Sequence, residues 1–104
     1  MKPVDYLIEA QDDFQESVTW YAGEDIDVAD WFALEVERTI DRIAADPGTG
    51  HPSGRGTRSI VLNKFPFRVV FAELPTRIVI IAVSHHSRHP GYWLKRLKGL
   101  RKRT

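Results

Sequence analysis

The sequence contains no cysteine, which excludes a disulfide scaffold, a cysteine nucleophile and a thiolate metal site. Long hydrophobic runs are also missing, since no stretch approaches the roughly 18 apolar residues of a membrane span. The opening residues, MKPVDYLIEAQDD, turn acidic where a signal peptide needs an apolar stretch. We therefore expect a soluble protein of the cytoplasm with no membrane association.

Acidic residues are almost absent from the second half of the chain. Residues 51–104 hold 12 bases and one acid, Glu73, for a net charge of +11. Residues 1–50 hold 13 acids and three bases, for a net charge of −10. Six of the bases fall in residues 95–104, with no acid beside them in sequence. This asymmetry predicts an anionic partner for the basic half, unless the two halves pack together and neutralise each other.

The 104 residues suffice for one hydrophobic core, so residues 1–104 are treated as a single domain. Alternation over residues 4–8 predicts a short strand. Apolar residues then recur every three or four positions in residues 10–21 and 29–43, which predicts an antiparallel helical hairpin. Gly23 is expected to end its first helix. The second helix is expected to begin at a capping aspartate, Asp25 or Asp27, and to end at Asp46-Pro47-Gly48.

Residues 47–56 contain four glycines and two prolines and are predicted to form a loop. Residues 78–83 are apolar in both alternating sets, which predicts a strand covered on both faces. A short terminal helix is predicted within residues 92–100. The strand-like runs after the loop predict an antiparallel meander and lie at residues 58–62, 67–74 and 77–84. The order βααβββ predicts an α+β fold, with the hairpin packed on a small antiparallel-rich sheet and a basic C-terminal segment.

Chemically active side chains concentrate where the last predicted strand ends. Residues 84–93, SHHSRHPGYW, carry three of the four histidines, and functional sites often lie where a strand leads into an irregular segment. One interpretation is a metal site made of His85, His86 and His89. Because no carboxylate lies nearby in sequence, we predict neither a metal nor any other cofactor.

A second interpretation is phosphate chemistry. Cleavage of RNA by its 2′-hydroxyl needs a base, an acid and cations around the phosphate. Histidine titrates near neutral pH, and the guanidinium fork of arginine matches phosphate oxygens. The candidate catalytic residues of such a nuclease are Arg68, His86 (or His85), Arg88 and Tyr92.

A third interpretation is a binding surface without chemistry, which docks on nucleic acid or on an acidic protein. Its candidate contact residues are Arg58, Lys64, Arg68, His85, Arg88 and Trp93. For Trp93, packing of the last segment against the sheet is the favoured interpretation. Trp20, Tyr21, Trp31 and Phe32 lie at helical spacing, which favours packing within the hairpin.

Several motifs along the chain resemble those of one known family. They are Trp20-Tyr21 in the first helix, Asp46-Pro47 after the second and, most specifically, FPFRVVF at residues 65–71 and AVSHHSRHPGYW at residues 82–93. In these motifs and in the order of its elements, the chain resembles the RelE/ParE superfamily of toxins, the plasmid stabilisation family of bacterial type II toxin–antitoxin systems. The resemblance implies the α+β fold, growth arrest, and a cognate antitoxin that binds and neutralises the toxin in a hetero-oligomer.

The resemblance implies one of two mechanisms, because the superfamily divides by target. RelE-like members cut mRNA on the ribosome without a metal, whereas ParE-like members inhibit DNA gyrase. Arg68 matches the strand arginine of the RelE-like pattern. His86 and Arg88 stand near its later basic position, and Tyr92 near its tyrosine.

Ser59 and Val61 fall where RelE-like members carry paired lysines, which leaves Arg58 and Lys64 as the nearest bases. The chain therefore resembles ParE-like members more closely. The resemblance implies a gyrase inhibitor, with a ribosome-dependent mRNA endoribonuclease as the alternative.

Overall fold

The computed structural model describes residues 1–102 and has an α+β fold. Within this range the elements are β1 (Val4–Tyr6), α1 (Ile8–Glu24), α2 (Ile26–Ala45), β2 (His51–Gly54), β3 (Thr57–Val61), β4 (Phe67–Glu73), β5 (Ile78–His85) and α3 (Leu97–Lys102). Short 3-10 turns lie at Pro47–Thr49 and Leu94–Arg96. The predicted fold class, with its N-terminal strand, its helical hairpin and its sheet, is confirmed.

A single residue, Asp25, connects the two helices of the hairpin. Its carboxylate Oδ1 accepts a hydrogen bond from the Asp27 N–H (2.9 Å), and its own N–H donates to the Tyr21 carbonyl (2.8 Å). Asp25 therefore caps the start of α2 and the end of α1 at once. The predicted cap is confirmed, and α1 runs one residue beyond Gly23, where the sequence predicted its end.

The strands form one sheet in the order β1-β5-β4-β3-β2. β1 pairs in parallel with β5, and every other neighbouring pair is antiparallel. β5 lies inside the sheet and is buried from Ile78 to Ser84, which confirms the strand predicted to be covered on both faces.

The edge strand β2 corrects the loop predicted between the second helix and the sheet. His51–Gly54 pairs with β3. Pro52 lacks an N–H donor but is tolerated here because β2 is an edge strand. The following turn, Gly54-Arg55-Gly56, has positive φ at each residue (96°, 51° and 80°), which accounts for its two glycines. The element order is therefore βααββββα, because the composition that suggested a loop also suits a short edge strand and its turn.

Apolar cores lie on both faces of the sheet. On one, the hairpin face, Phe32, Val36 and Ile43 pack against strand residues such as Phe71 and Ile80. The opposite face, here called the C-terminal face, is covered by residues 92–100. The buried residues that meet there are Trp93, Leu97 and Leu100 from the C-terminal segment and Val70 and Ile81 from the strands. Both faces of β5 are apolar because each has its own cover.

A buried ion pair fastens the C-terminal segment to the hairpin. Arg96 donates two hydrogen bonds to Asp13 of α1 (2.8 and 3.1 Å), and the two side chains are only 11% and 10% exposed. Arg96 also donates to the Ile81 carbonyl (3.0 Å), and the Val83 N–H donates to Asp13 (3.1 Å). The pair thus supplies hydrogen-bond partners to the Ile81 carbonyl and the Val83 N–H of β5. Both groups lie past Ile80, the last residue of β5 that pairs with β1.

The partner of Arg96 changes the interpretation of the basic C-terminal segment. Burial disfavours the charge of Arg96, but the hydrogen bonds and negative charge of Asp13 outweigh it and raise the pKa of Arg96 above its usual value. No acid lies beside the six bases of residues 95–104 in sequence. Arg96 nevertheless has an acidic partner, Asp13, which lies 83 positions away in the first helix.

Candidate functional site

Most of the predicted site residues line one concave site of about 270 Å³ on the C-terminal face. We call it the basic pocket. Residues from β2, β4, β5 and the segment after β5 contribute to it, including Ser53, Arg68, Ser84, His85, His86, Arg88, His89 and Trp93. The structure therefore brings together side chains that lie 20 or so positions apart in sequence.

Strand register places Arg68 in the basic pocket. Its neighbours Phe67 and Val69 belong to the core under the hairpin, and because side chains alternate along a strand, Arg68 lies on the opposite face. There it is exposed and pairs in register with Ser84 of β5. The strand thus presents one arginine to solvent while its neighbours anchor it in the core.

A backbone turn after β5 presents the remaining bases. The His86 N–H donates to the Pro66 carbonyl (2.8 Å), which extends the pairing of β4 and β5 by one step. The Arg88 N–H then donates to the His85 carbonyl (3.0 Å) and reverses the chain. His86, Arg88 and His89 are all exposed around the pocket.

His85 is held more tightly than its neighbours. Its Nδ1 accepts a hydrogen bond from the Ser87 N–H (2.9 Å), and its ring meets the Phe67 ring edge-to-face with centroids 4.9 Å apart. In this geometry Nδ1 is an acceptor, so the neutral ring carries its proton on Nε2. His85 is half-buried and borders the basic pocket on one side and a groove beside Trp20 on the other.

Tyr92 lies beside the basic pocket and points away from it. Its hydroxyl donates to Asp13 (3.3 Å), and the Arg88 guanidinium stacks over its ring at 4.0 Å from the centroid. Burial, followed by the negative charge of Asp13, raises the pKa of Tyr92 above its usual value. Tyr92 is therefore a protonated hydrogen-bond donor at neutral pH and a platform that orients Arg88.

Two predicted binding residues lie outside the basic pocket. Arg58 donates to the Gly50 carbonyl (2.8 Å) and pairs in register with Phe71. Lys64 lies over the Trp31 ring, 4.8 Å from its centroid. Trp93 does border the pocket, but it is buried among the core residues of the C-terminal face, so packing is its principal contact.

The two positions that RelE-like members fill with lysine share the C-terminal face with Arg68. Val61 is half-exposed and pairs in register with Arg68 itself. Ser59 is buried, and its Oγ lies 2.6 Å from the Ser53 Oγ in a hydrogen bond. The surroundings of Arg68 on β3 are therefore uncharged.

An aromatic groove lies on the flank of the hairpin, beside Trp20. It has a volume of about 260 Å³ and is lined by Glu16, Ser17, Trp20, Tyr21, Phe67, His85 and Ser87. Trp20 and Trp31 were expected to pack within the hairpin, but they are 64% and 52% exposed. Tyr21 and Phe32, one position further along each helix, fill the contact with Phe67 instead.

Within residues 1–102, no three histidine or carboxylate side chains come together as a possible metal site. In the same range, no helix has the length and apolarity that crossing a membrane requires.

Comparison with known proteins gives one family. The sequence matches the family described as "ParE toxin of type II toxin-antitoxin system, parDE" over residues 4–90. Among solved structures, a chain of the "Chromosomal ParDE TA system from P. aeruginosa" is similar, with a TM-score of 0.73 and 16% identity. That match covers 82% of this chain and 96% of the other, and it supports the fold. No curated protein sequence matches this chain.

Proposed function

Because the chain belongs to the ParE toxin family of type II toxin–antitoxin systems, we propose that it is a toxin that arrests growth by inhibiting DNA gyrase. A cognate antitoxin binds it and neutralises it, and both act in the cytoplasm. The observation that carries the proposal is the family match, which spans residues 4–90 and so includes the hairpin and the whole sheet.

The surroundings of Arg68 support gyrase as the target. A RelE-like nuclease is expected to place lysines beside its strand arginine, and here Ser59 and Val61 occupy those positions. The hydroxyl of Tyr92, one of the candidates for proton transfer, donates a hydrogen bond to Asp13. Its raised pKa also makes it a poor base at neutral pH.

The basic pocket favours a second candidate, the ribosome-dependent mRNA endoribonuclease. Arg68, His86 and Arg88 all line this pocket, and two arginines with a titratable histidine could stabilise and protonate a reacting phosphodiester. In that mechanism Arg68 contacts the scissile phosphate and His86 transfers a proton, with no metal involved.

A side-by-side assay separates the two candidates. Purified protein is incubated with gyrase and relaxed plasmid, and in parallel with translating ribosomes and mRNA. Gyrase inhibition predicts that supercoiling stops and mRNA stays intact. The nuclease predicts codon-specific cuts that fall on the order of 10²-fold or more in Arg68→Ala, with gyrase unaffected.

Growth measurements test the toxin proposal itself. Expression of the chain alone is expected to slow bacterial growth, and coexpression of the small protein encoded beside it is expected to relieve the effect. Normal growth at verified soluble expression would contradict the proposal.

The aromatic groove supports a protein partner on the hairpin flank. Trp20 offers an exposed indole beside Tyr21 and Phe67, and aromatic side chains of this kind often anchor protein–protein contacts. We assign the groove to an apolar segment of the antitoxin. Binding there would leave the basic pocket on the other face open.

A further inference from the structure

A second basic site lies next to the basic pocket. Arg55, Lys95 and Lys98 surround a concavity of about 240 Å³ that Leu94 and Leu97 also line. We call it the turn pocket, because Arg55 stands at the tip of the turn between β2 and β3. Arg55 is the only non-glycine residue of the described range with a positive φ (51°), a backbone conformation that few non-glycine residues adopt.

Two segments of the chain, β2 with the turn after it and the C-terminal segment, each contribute residues to both pockets. Ser53 and Trp93 line the basic pocket, and Arg55 and Leu94 line the turn pocket. Both pockets therefore lie where the turn after β2 meets the C-terminal segment. Together they place two neighbouring groups of basic side chains on the C-terminal face.

The cations of this surface are not neutralised within the part of the chain that the structure describes. The three ion pairs within residues 1–100 involve Lys2, Arg77 and Arg96. The five exposed bases of the two pockets, by contrast, form no ion pair in that range, and they are Arg55, Arg68, Arg88, Lys95 and Lys98.

The surface also lacks the apolar anchors that a peptide partner needs. Exposed large apolar side chains lie on the N-terminal segment and on the hairpin, with Val61 the exception on the C-terminal face. An amphipathic peptide binds through apolar side chains, so it fits the aromatic groove beside Trp20. A surface that offers cations with little apolar area suits a polyanion, because phosphate contacts supply most of the affinity for one.

We propose that the basic pocket and the turn pocket together bind the phosphodiester backbone of a nucleic acid. Arg68, Arg88 and Arg55 carry forked donors that match phosphate oxygens, and the lysines add point charges between them. Two adjacent pockets suit a ligand whose negative charges repeat along a chain. The inference goes beyond gyrase inhibition and antitoxin binding. For the nuclease candidate, it adds the turn pocket to the phosphate contact at Arg68.

The acidic hairpin would orient such a complex. Its exposed acids, such as Asp12, Glu16, Asp30 and Glu37, repel phosphates and so direct the nucleic acid to the C-terminal face. The contact is with backbone phosphates, so little dependence on base sequence is expected.

Fluorescence anisotropy with a short labelled duplex tests the proposal. The protein alone is titrated into DNA and into RNA of the same sequence, at salt concentrations between about 50 and 200 mM. Two variants are compared with the native protein, R68Q/R88Q for the basic pocket and R55Q/K95Q/K98Q for the turn pocket. Each is expected to bind roughly tenfold or more weakly, and its salt slope on DNA to fall by about 0.9 for each phosphate that the variant no longer neutralises.

The matched control is R38Q/R42Q, which removes two exposed arginines of α2 that line neither the basic pocket nor the turn pocket. It is expected to leave both affinity and salt slope unchanged, and circular dichroism checks that every variant is folded. Binding of either duplex supports the proposal. If one duplex binds more tightly than the other, the difference shows whether the ligand is DNA or RNA.

Three results would overturn the proposal. The first is that neither duplex binds at the lowest salt. The second is that the control variant weakens binding as much as the pocket variants do. The third is that the two pockets bind an acidic peptide and do not bind nucleic acid. The assay contains no gyrase, so its outcome is independent of the supercoiling experiment.

Discussion

Arg96 and Asp13, 83 positions apart in the sequence, form a doubly hydrogen-bonded ion pair that joins the C-terminal segment to α1 and to the edge of β5. The same carboxylate accepts from Tyr92, whose ring supports Arg88 of the basic pocket. One buried aspartate of the hairpin therefore determines how a surface on the far side of the sheet is arranged.

Loss of the Asp13 charge is expected to destabilise the fold strongly. Asp13→Asn leaves the Arg96 guanidinium buried without a counter-charge, so the free energy of unfolding should fall by about 3–5 kcal/mol. Urea denaturation measures the change. The control is Arg77→Gln, which breaks the more exposed pair with Asp5 (3.0 Å) and should cost at most about 1 kcal/mol. Equal losses would contradict a structural role for the buried pair.

Alkaline pH is expected to weaken the fold through its tyrosines. Burial raises the pKa of Tyr21, and burial with the charge of Asp13 raises that of Tyr92, from an ordinary value of 10.0. Above pH 10 the unfolded chain then binds fewer protons than the folded protein, so the free energy of unfolding falls as pH rises.

Tyr92→Phe tests this dependence, because it removes one titrating group. The variant should lose about 1 kcal/mol at neutral pH, with its hydrogen bond to Asp13, but its unfolding free energy should decline less steeply above pH 10. Thermal unfolding across pH measures both effects. An unchanged alkaline slope would show that Tyr92 does not contribute to it.

Two glycines are expected to respond oppositely to alanine. A Cβ on Gly50 would lie 2.8 Å from the Phe71 ring and 2.9 Å from the Arg58 Cβ, so Gly50→Ala should cost about 1–3 kcal/mol. A Cβ on Gly23 in α1 meets nothing within 4 Å, so Gly23→Ala should stabilise by up to about 1 kcal/mol. Chemical denaturation distinguishes the two, and a harmless Gly50→Ala would contradict the close packing of Gly50, the residue before β2, against Phe71 and Arg58.

Trp20→Ala is expected to weaken antitoxin binding without unfolding the toxin. An exposed aromatic anchor is worth about 2 kcal/mol or more when a partner buries it, and little when it faces water. Calorimetric titration with the protein encoded beside this gene measures the loss. The control is Val61→Ala, which shortens an exposed apolar side chain on the opposite face. Equal affinities of the two variants for the antitoxin would contradict the assignment of the groove to the antitoxin.

The sequence predicts those features that depend on local periodicity. The spacing of Phe32, Val36 and Ile43 predicts the buried side of α2, and the capping preference of aspartate predicts the link at Asp25. Because β4 runs antiparallel to β5, the first residues of β4 lie beside the last residues of β5, and Arg68 is therefore close to the histidine-rich segment.

Features that depend on tertiary distance are not predictable in this way. Periodicity gives the direction of an apolar stripe on a helix but not its width, so it does not tell Trp20 and Trp31, outside the contact, from Tyr21 and Phe32 within it. The acidic partner of Arg96 is likewise not predictable from local sequence. Asp13 is 83 positions away, and the chain returns to it only after the whole sheet has formed.

The separation of acids onto the hairpin and bases onto the opposite face makes the molecule an electric dipole, although its net charge is only +1. Two copies that meet in dilute buffer attract each other acid face to base face, and almost no net repulsion keeps them apart. Such head-to-tail contacts extend without limit unless the rotation between successive copies closes a ring. The isolated protein should therefore precipitate as salt is dialysed away and redissolve as salt is restored, because screening shortens the reach of the dipole.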